Sequence, residues 1–222
     1  MENHGALSGS IALAACISLA AGAVQAGIVR DVLSSIGLTS KPAPAPISAD
    51  GTPSFPRQGF ACCNLHNDGD SINDGNYAKY PLIPAGTAID VVSYDGNRAL
   101  IKINNKNMKL KHDYGRDQES LDVWVKKIVV NTDPRPRIAG YPPQVQAAIA
   151  AGKVVVGMTR EQVITAIGYP LTSENASLDE AQWRMWRSSH GEYDIQFGAN
   201  GRVTEVTGED EVLNQVVYKP SH

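Results

Sequence analysis

The sequence predicts an α+β protein: a small all-β unit, followed by a unit of two helices and three antiparallel strands. Two observations predict it. Between Leu82 and Val130, short apolar runs alternate with turn residues, the pattern of a small barrel. Beyond the breaker-rich stretch Asp133-Pro134-Arg135-Pro136-Arg137 the apolar spacing becomes helical, then returns to period two. The chain has 222 residues and a formal net charge of −3, a length that suits one or two domains. Without a basic excess or a long Lys/Arg run, nucleic acid is not among the expected partners.

The N-terminus reads as an export signal, residues 1–26. Ile11 to Val24 is uncharged and apolar, and too short to span a bilayer, which takes about 20 residues. Val24-Gln25-Ala26 places small residues where a signal peptidase cuts, so cleavage is expected after Ala26. No Lys or Arg precedes the run and Glu2 is acidic, which departs from the usual signal pattern. Leu13-Ala14-Ala15-Cys16 competes as a lipobox, with Cys16 the residue acylated. The apolar run continues past Cys16, and this favours the Ala26 site. Either route implies a periplasmic or outer-membrane-associated protein in an oxidising compartment.

Residues 27–58 follow as a short helix and a spacer. Ile28, Val29, Val32, Leu33 and Ile36 recur at helical spacing. Lys41-Pro42-Ala43-Pro44-Ala45-Pro46 then favours extended, semi-rigid polyproline geometry.

The β unit is expected over 59–131. Pro81 to Thr87 reads as a turn, and Ala88 to Tyr94 as a strand. Asp95-Gly96-Asn97 is a hairpin signal leading into the alternating Ala99 to Ile103. Asn104-Asn105 turns the chain into Met108 to Lys111, and Val123 to Val130 reads as the closing strand. Residues 132–141 form a linker.

The second unit is expected over 142–208, with 209–222 as a tail. Pro143 opens a helix carrying Val145, Ala148 and Ile149 on one side. Thr159 and Gln162 make a capping box for a second helix, which buries Val163, Ile164 and Ile167. Gly168 suits the left-handed residue past its end, and Pro170 prevents continuation. Three strands follow, around Trp183 to Arg187, Tyr193 to Phe197 and Arg202 to Val206. In the middle one, Tyr193, Ile195 and Phe197 should face inward.

Two resemblances follow from these motifs. Ile83-Pro84-Ala85-Gly86-Thr87 followed by short strands resembles bacterial SH3-like domains. Gly157-Met158-Thr159, Gln162-Val163 and Gly168-Tyr169-Pro170, then a tryptophan strand, Phe197 and Asn200-Gly201-Arg202-Val203, resemble the BamE (SmpA/OmlA) family of outer-membrane assembly lipoproteins. The second resemblance covers Pro142 to Gly208. It implies two helices on a three-stranded sheet, no catalysis, and a stabilising role in the machinery that inserts β-barrels into the outer membrane. Family members carry an acylated cysteine just ahead of this domain; here a β unit intervenes.

Candidate chemistry concentrates at Cys62-Cys63-Asn64-Leu65-His66. Apart from Cys16 these are the only cysteines. A bond between neighbours departs from preferred disulfide geometry, so reduced thiols or a bridge to another molecule stay open. Cys62, Cys63 and His66 are competent zinc ligands, with His112 and Asp113 as remote partners, but the spacing supplies no complete set. Asp68-x-Asp70 starts like a calcium loop, yet Ile72 and Asn73 stand where an oxygen ligand and the turn glycine belong. A Cys–His pair with His66 or His112 would make a thiol nucleophile. The ordinary reading is a polar turn-rich loop. No cofactor is predicted.

The loop from His112 to Asp117 reads as a solvated turn, with a ligand groove beside Tyr77 and Tyr80 as the alternative. Trp124 and Trp183 read as core residues. Trp186 and Arg184, alternate on one strand, form the candidate interaction surface. The expected function is non-enzymatic interaction in the cell envelope, with envelope proteins, the outer-membrane assembly machinery or peptidoglycan as partners. The alternative is a thiol- or metal-dependent activity at Cys62, Cys63 and His66.

Overall fold

Residues 58–113 and 118–220 are described by the computed structural model. The export signal, Cys16, the helix expected within 27–58 and the proline-alternating spacer lie outside them. The described residues form an α+β structure with two apolar clusters, one within 61–129 and one within 145–216.

The first cluster lies against a curled six-stranded sheet. Its centre is a meander of β5 (Ala88–Asp95), β6 (Arg98–Ile103) and β7 (Lys106–Lys111). Local turn chemistry sets the register. Gly96 takes φ +60° between Asp95 and Arg98, which pair with each other. Asn104 and Asn105 both take positive φ between β6 and β7, the two-residue turn whose twist matches the strands. Along β6, Ala99, Ile101 and Ile103 are buried. In β5 the register shifts between Val91 and Ser93. This bulge lets Val91 and Tyr94, three residues apart, both face inward while Val92 is exposed. Strand β1 (Gln58–Ala61) pairs with β5, and β3 (Ser71–Asn73) pairs parallel to β7 at the opposite side.

Several sequence expectations are corrected. The closing strand over Val123 to Val130 is instead helix α1 (Leu121–Ile128) followed by a two-residue strand, β8 (Val129–Val130). Trp124, Val125 and Ile128 reach the core together, which helical spacing allows and strand alternation forbids. Asp122 in the first turn and Lys126 and Lys127 in the last suit the helix dipole. Within the expected turn, Leu82–Ile83 forms strand β4, paired with β2 (Leu65–His66). The linker contains a one-turn helix, α2 (Arg135–Ala139).

The second cluster is built on α3 (Pro143–Ala150), α4 (Arg160–Ile167) and a three-stranded sheet of β9 (Gln182–Trp186), β10 (Glu192–Phe197) and β11 (Val203–Gly208), ordered β11-β10-β9. Tyr193, Ile195 and Phe197 are buried, as their alternation predicts. Trp183 meets Phe197 edge-on at 4.7 Å between centroids. Both halves of the capping box form at Thr159 and Gln162. The tail after Gly208 is not a tail throughout: Asp210–Val216 is helix α5, which buries Val212 and Val216 in this cluster.

One polar cluster joins the halves. The last four carbonyls of a helix have no partner within it. In α4, the Ile164 carbonyl accepts from Gly168 N–H at 2.8 Å. The other three accept from residues of the first half. Thr165 O accepts from Asn64 N–H at 3.0 Å, Ala166 O from the Asn64 amide at 2.9 Å, and Ile167 O from the Asn76 amide at 2.8 Å. The Asn64 amide also donates to Ile149 O near the end of α3, at 2.6 Å. Its carbonyl oxygen accepts from Ala85 N–H at 2.9 Å. Gly168 has φ +86° and ψ 179°, a region essentially reserved for glycine rather than the left-handed helical one. A Cβ there would also run into the Asn76 amide.

Asn64→Ala removes both amide donors and the acceptor for Ala85 at a buried site. Urea denaturation should show a loss of about 3 kcal/mol or more, since each stranded buried group costs about 1–3 kcal/mol. A loss below about 1 kcal/mol would mean that water replaces the clamp.

Candidate functional site

The same seam opens on one side into a cleft of about 610 Å³. Cys62 and Val130 come from the sheet side, Ile164 and Thr165 from α4, and Tyr169 and Leu178 from the chain beyond it. Ile164 packs against both apolar clusters, so the cleft follows directly from how the halves meet. Leu178, 37 % exposed, adds an apolar side chain to the cleft wall.

Charges line the rim. Arg137 and Glu161 form an ion pair at 2.6 Å, with both side chains half exposed or more. Such exposed pairs add little to stability. Burial pushes the Tyr169 hydroxyl above its usual pKa; Arg137 opposes this, while Glu119 and Glu161 add to it. Lys127 lies over the Tyr169 ring at 5.4 Å from its centroid. The phenol is therefore a neutral donor or acceptor at the cleft wall.

The structure places Cys62 and Cys63 as a disulfide between adjacent residues. Cys63 is fully buried and Cys62 nearly so. Neither sulfur is hydrogen-bonded to His66 or His112 among the described residues. His66 is buried beside Asn76, whose side-chain oxygen accepts from the His66 backbone N–H at 2.7 Å. Burial holds the His66 imidazole below its usual pKa, against a smaller opposing effect of the Asn76 hydrogen bonds. His112 is elsewhere. Its Nδ1 lies 3.0 Å from the buried Asp74 carboxylate, and its Nε2 lies 2.5 Å from the Glu119 carbonyl oxygen. Its ring stacks on Trp124 at 5.2 Å. His112 thus lies against Asp74, Glu119 and Trp124 with no hydrogen bond to either sulfur, and Trp124 is core. No group of three His, Cys, Asp or Glu side chains among the described residues could hold a metal.

Asp68 and Asp70 belong to a tight turn at Gly69, where Asp70 pairs with Lys109 at 2.9 Å. Tyr77 is buried and Tyr80 partly buried; Asp113 accepts from the Asn97 amide.

Arg184 and Trp186 do share one face of β9, opposite the buried Trp183 and Met185. Both are engaged within the chain. Arg184 pairs with Asp194 at 3.1 Å, and the Trp186 indole donates to Glu174 at 2.8 Å. The Asn175 side chain accepts from the Arg184 N–H and donates to its carbonyl, blunting this sheet edge. Neither Arg184 nor Trp186 lines the cleft. The sequence reading missed Val130, Tyr169 and Leu178 as cleft residues. Tyr169, held between Gly168 and Pro170, was the one with a local signal.

Comparison of the chain with family models, curated proteins and solved structures yields no match.

His66 sets a pH dependence. The unfolded chain takes up a proton near pH 6.5, while the folded chain resists it. Stability held above that pH is lost as the pH falls toward the folded-state value. The melting temperature should fall between neutral pH and pH 5, and His66→Leu should flatten that slope. An unchanged slope in the variant would place the effect elsewhere.

Proposed function

We propose that this chain is an exported, non-enzymatic interaction protein of the cell envelope, and that the seam cleft is its binding face. The cleft itself is the observation that carries the reading. It presents Ile164, Tyr169 and the exposed Leu178 between charged rim residues, an apolar centre with a polar border such as protein-binding sites use. The finer reading is that the first half is SH3-like and the second BamE-like, with a stabilising role in outer-membrane protein assembly. It is supported by the order of two helices and three antiparallel strands, the capping box at Thr159 and the glycine-dependent stop at Gly168. Export rests on the leader pattern ending at Ala26. No helix among the described residues is long and apolar enough to cross a membrane.

The test is a benzophenone side chain introduced at Leu178 in the native host, with Val92 on the sheet surface as the control position. Irradiation should link an envelope protein at Leu178 and not at Val92. A component of the assembly machinery in the adduct favours the finer reading, and another envelope protein favours the coarser one alone. Equal labelling at both positions, or none at Leu178 with sedimentation on peptidoglycan, counts against protein binding in the cleft.

A further inference from the structure

A disulfide that staples a fold does so by restricting loops in the unfolded chain, and its contribution grows with loop length. Cys62 and Cys63 are adjacent in sequence, so their bond closes no loop of consequence. Its presence calls for another account, and its position supplies one. Cys62 is among the residues lining the cleft, while Cys63 is fully buried and does not line it, so Cys62 is the member of the pair nearer to solvent. The pair also sits between two anchored points. On one side, Cys62 N–H donates to Ile128 O at 2.9 Å. On the other, Asn64 follows directly and holds the carbonyls of Ile149, Thr165 and Ala166.

We propose that Cys62–Cys63 is a thiol–disulfide exchange site, reached by a dithiol through the cleft, and that its redox state sets how firmly Asn64 holds α4. This inference does not depend on the identity of the cleft's partner. A thiolate of the incoming dithiol attacks Cys62 Sγ. The Cys62–Cys63 bond breaks, and Cys63 leaves as a thiolate that takes up a proton. Cys62 is then joined to the donor in a mixed disulfide. The donor's second thiolate attacks its own sulfur in that bond, forming the donor's internal disulfide and releasing Cys62, which is protonated in turn. Two electrons and two protons pass from the dithiol to the pair; a disulfide of the same class reverses the exchange. The covalent ring that restrains the backbone immediately before Asn64 is present in one state and absent in the other.

The experiment uses the full chain carrying Cys16→Ser, so that the pair is the only source of thiols. Protein is treated with dithiothreitol in native buffer, quenched with N-ethylmaleimide and read by intact mass, peptide mapping and hydrogen exchange. Untreated protein should take up no maleimide. Reduced protein should take up two, at Cys62 and Cys63, while its melting transition persists. Amides around Asn64 and Ala85 should then exchange severalfold faster. In Cys63→Ser protein, Cys62 should react without reductant, through the cleft. Labelling of the pair before reduction, or resistance to dithiothreitol until denaturant is added, overturns the exchange site. Reduction with unchanged exchange at Asn64 and Ala85 overturns the coupling. A Cys62 unreactive in folded Cys63→Ser protein overturns the route.

Discussion

Three backbone carbonyls at the end of α4 find their donors in two asparagines roughly a hundred positions earlier, and the rest of the structure depends on that arrangement. A buried carbonyl without a donor is costly, and a helix ending inside a protein presents several at once. The helical half supplies one donor, from Gly168. The sheet half supplies the others, with Asn64 and Asn76 each using both ends of the amide. Asn76 holds a positive φ of 43°, which asparagine tolerates better than most residues. Gly168 is needed for its own backbone angles and for the room it leaves Asn76.

The cleft is a consequence of this join. Apolar side chains of both halves meet at Ile164, and the surface beside that contact is left open to solvent between the end of β8 and α4. The disulfide lies at this junction, one residue from the clamp. The clamp, the cleft lining and the proposed exchange site therefore meet in a short stretch, Cys62 to His66. The histidine there contributes through burial of its neutral ring, and the asparagine through its hydrogen bonds.

What was legible in the sequence was local. The capping box, the stop at Gly168 and Pro170, the Asn104-Asn105 turn and the alternation of β10 are all signalled within a few residues of where they act. Helix α1 was not legible because Val123 to Val130 is apolar enough to fit either period, and only the shared burial of Trp124, Val125 and Ile128 decides. Helix α5 was hidden by the acidic run that begins it, with Val212 and Val216 its two buried residues. Asn64 and Asn76 read as turn residues in a polar loop. Their partners lie 102 and 91 positions away, and no short-range pattern reports such a distance. The cleft was invisible for the same reason, since three separated segments build it.

If the clamp makes the two halves one cooperative structure, their unfolding is a single event. Differential scanning calorimetry of the intact protein measures this most directly. One transition is expected, with calorimetric and van't Hoff enthalpies that agree. Two resolved transitions, one for each apolar cluster, would contradict it and reduce the asparagine contacts to a passive meeting of independent domains.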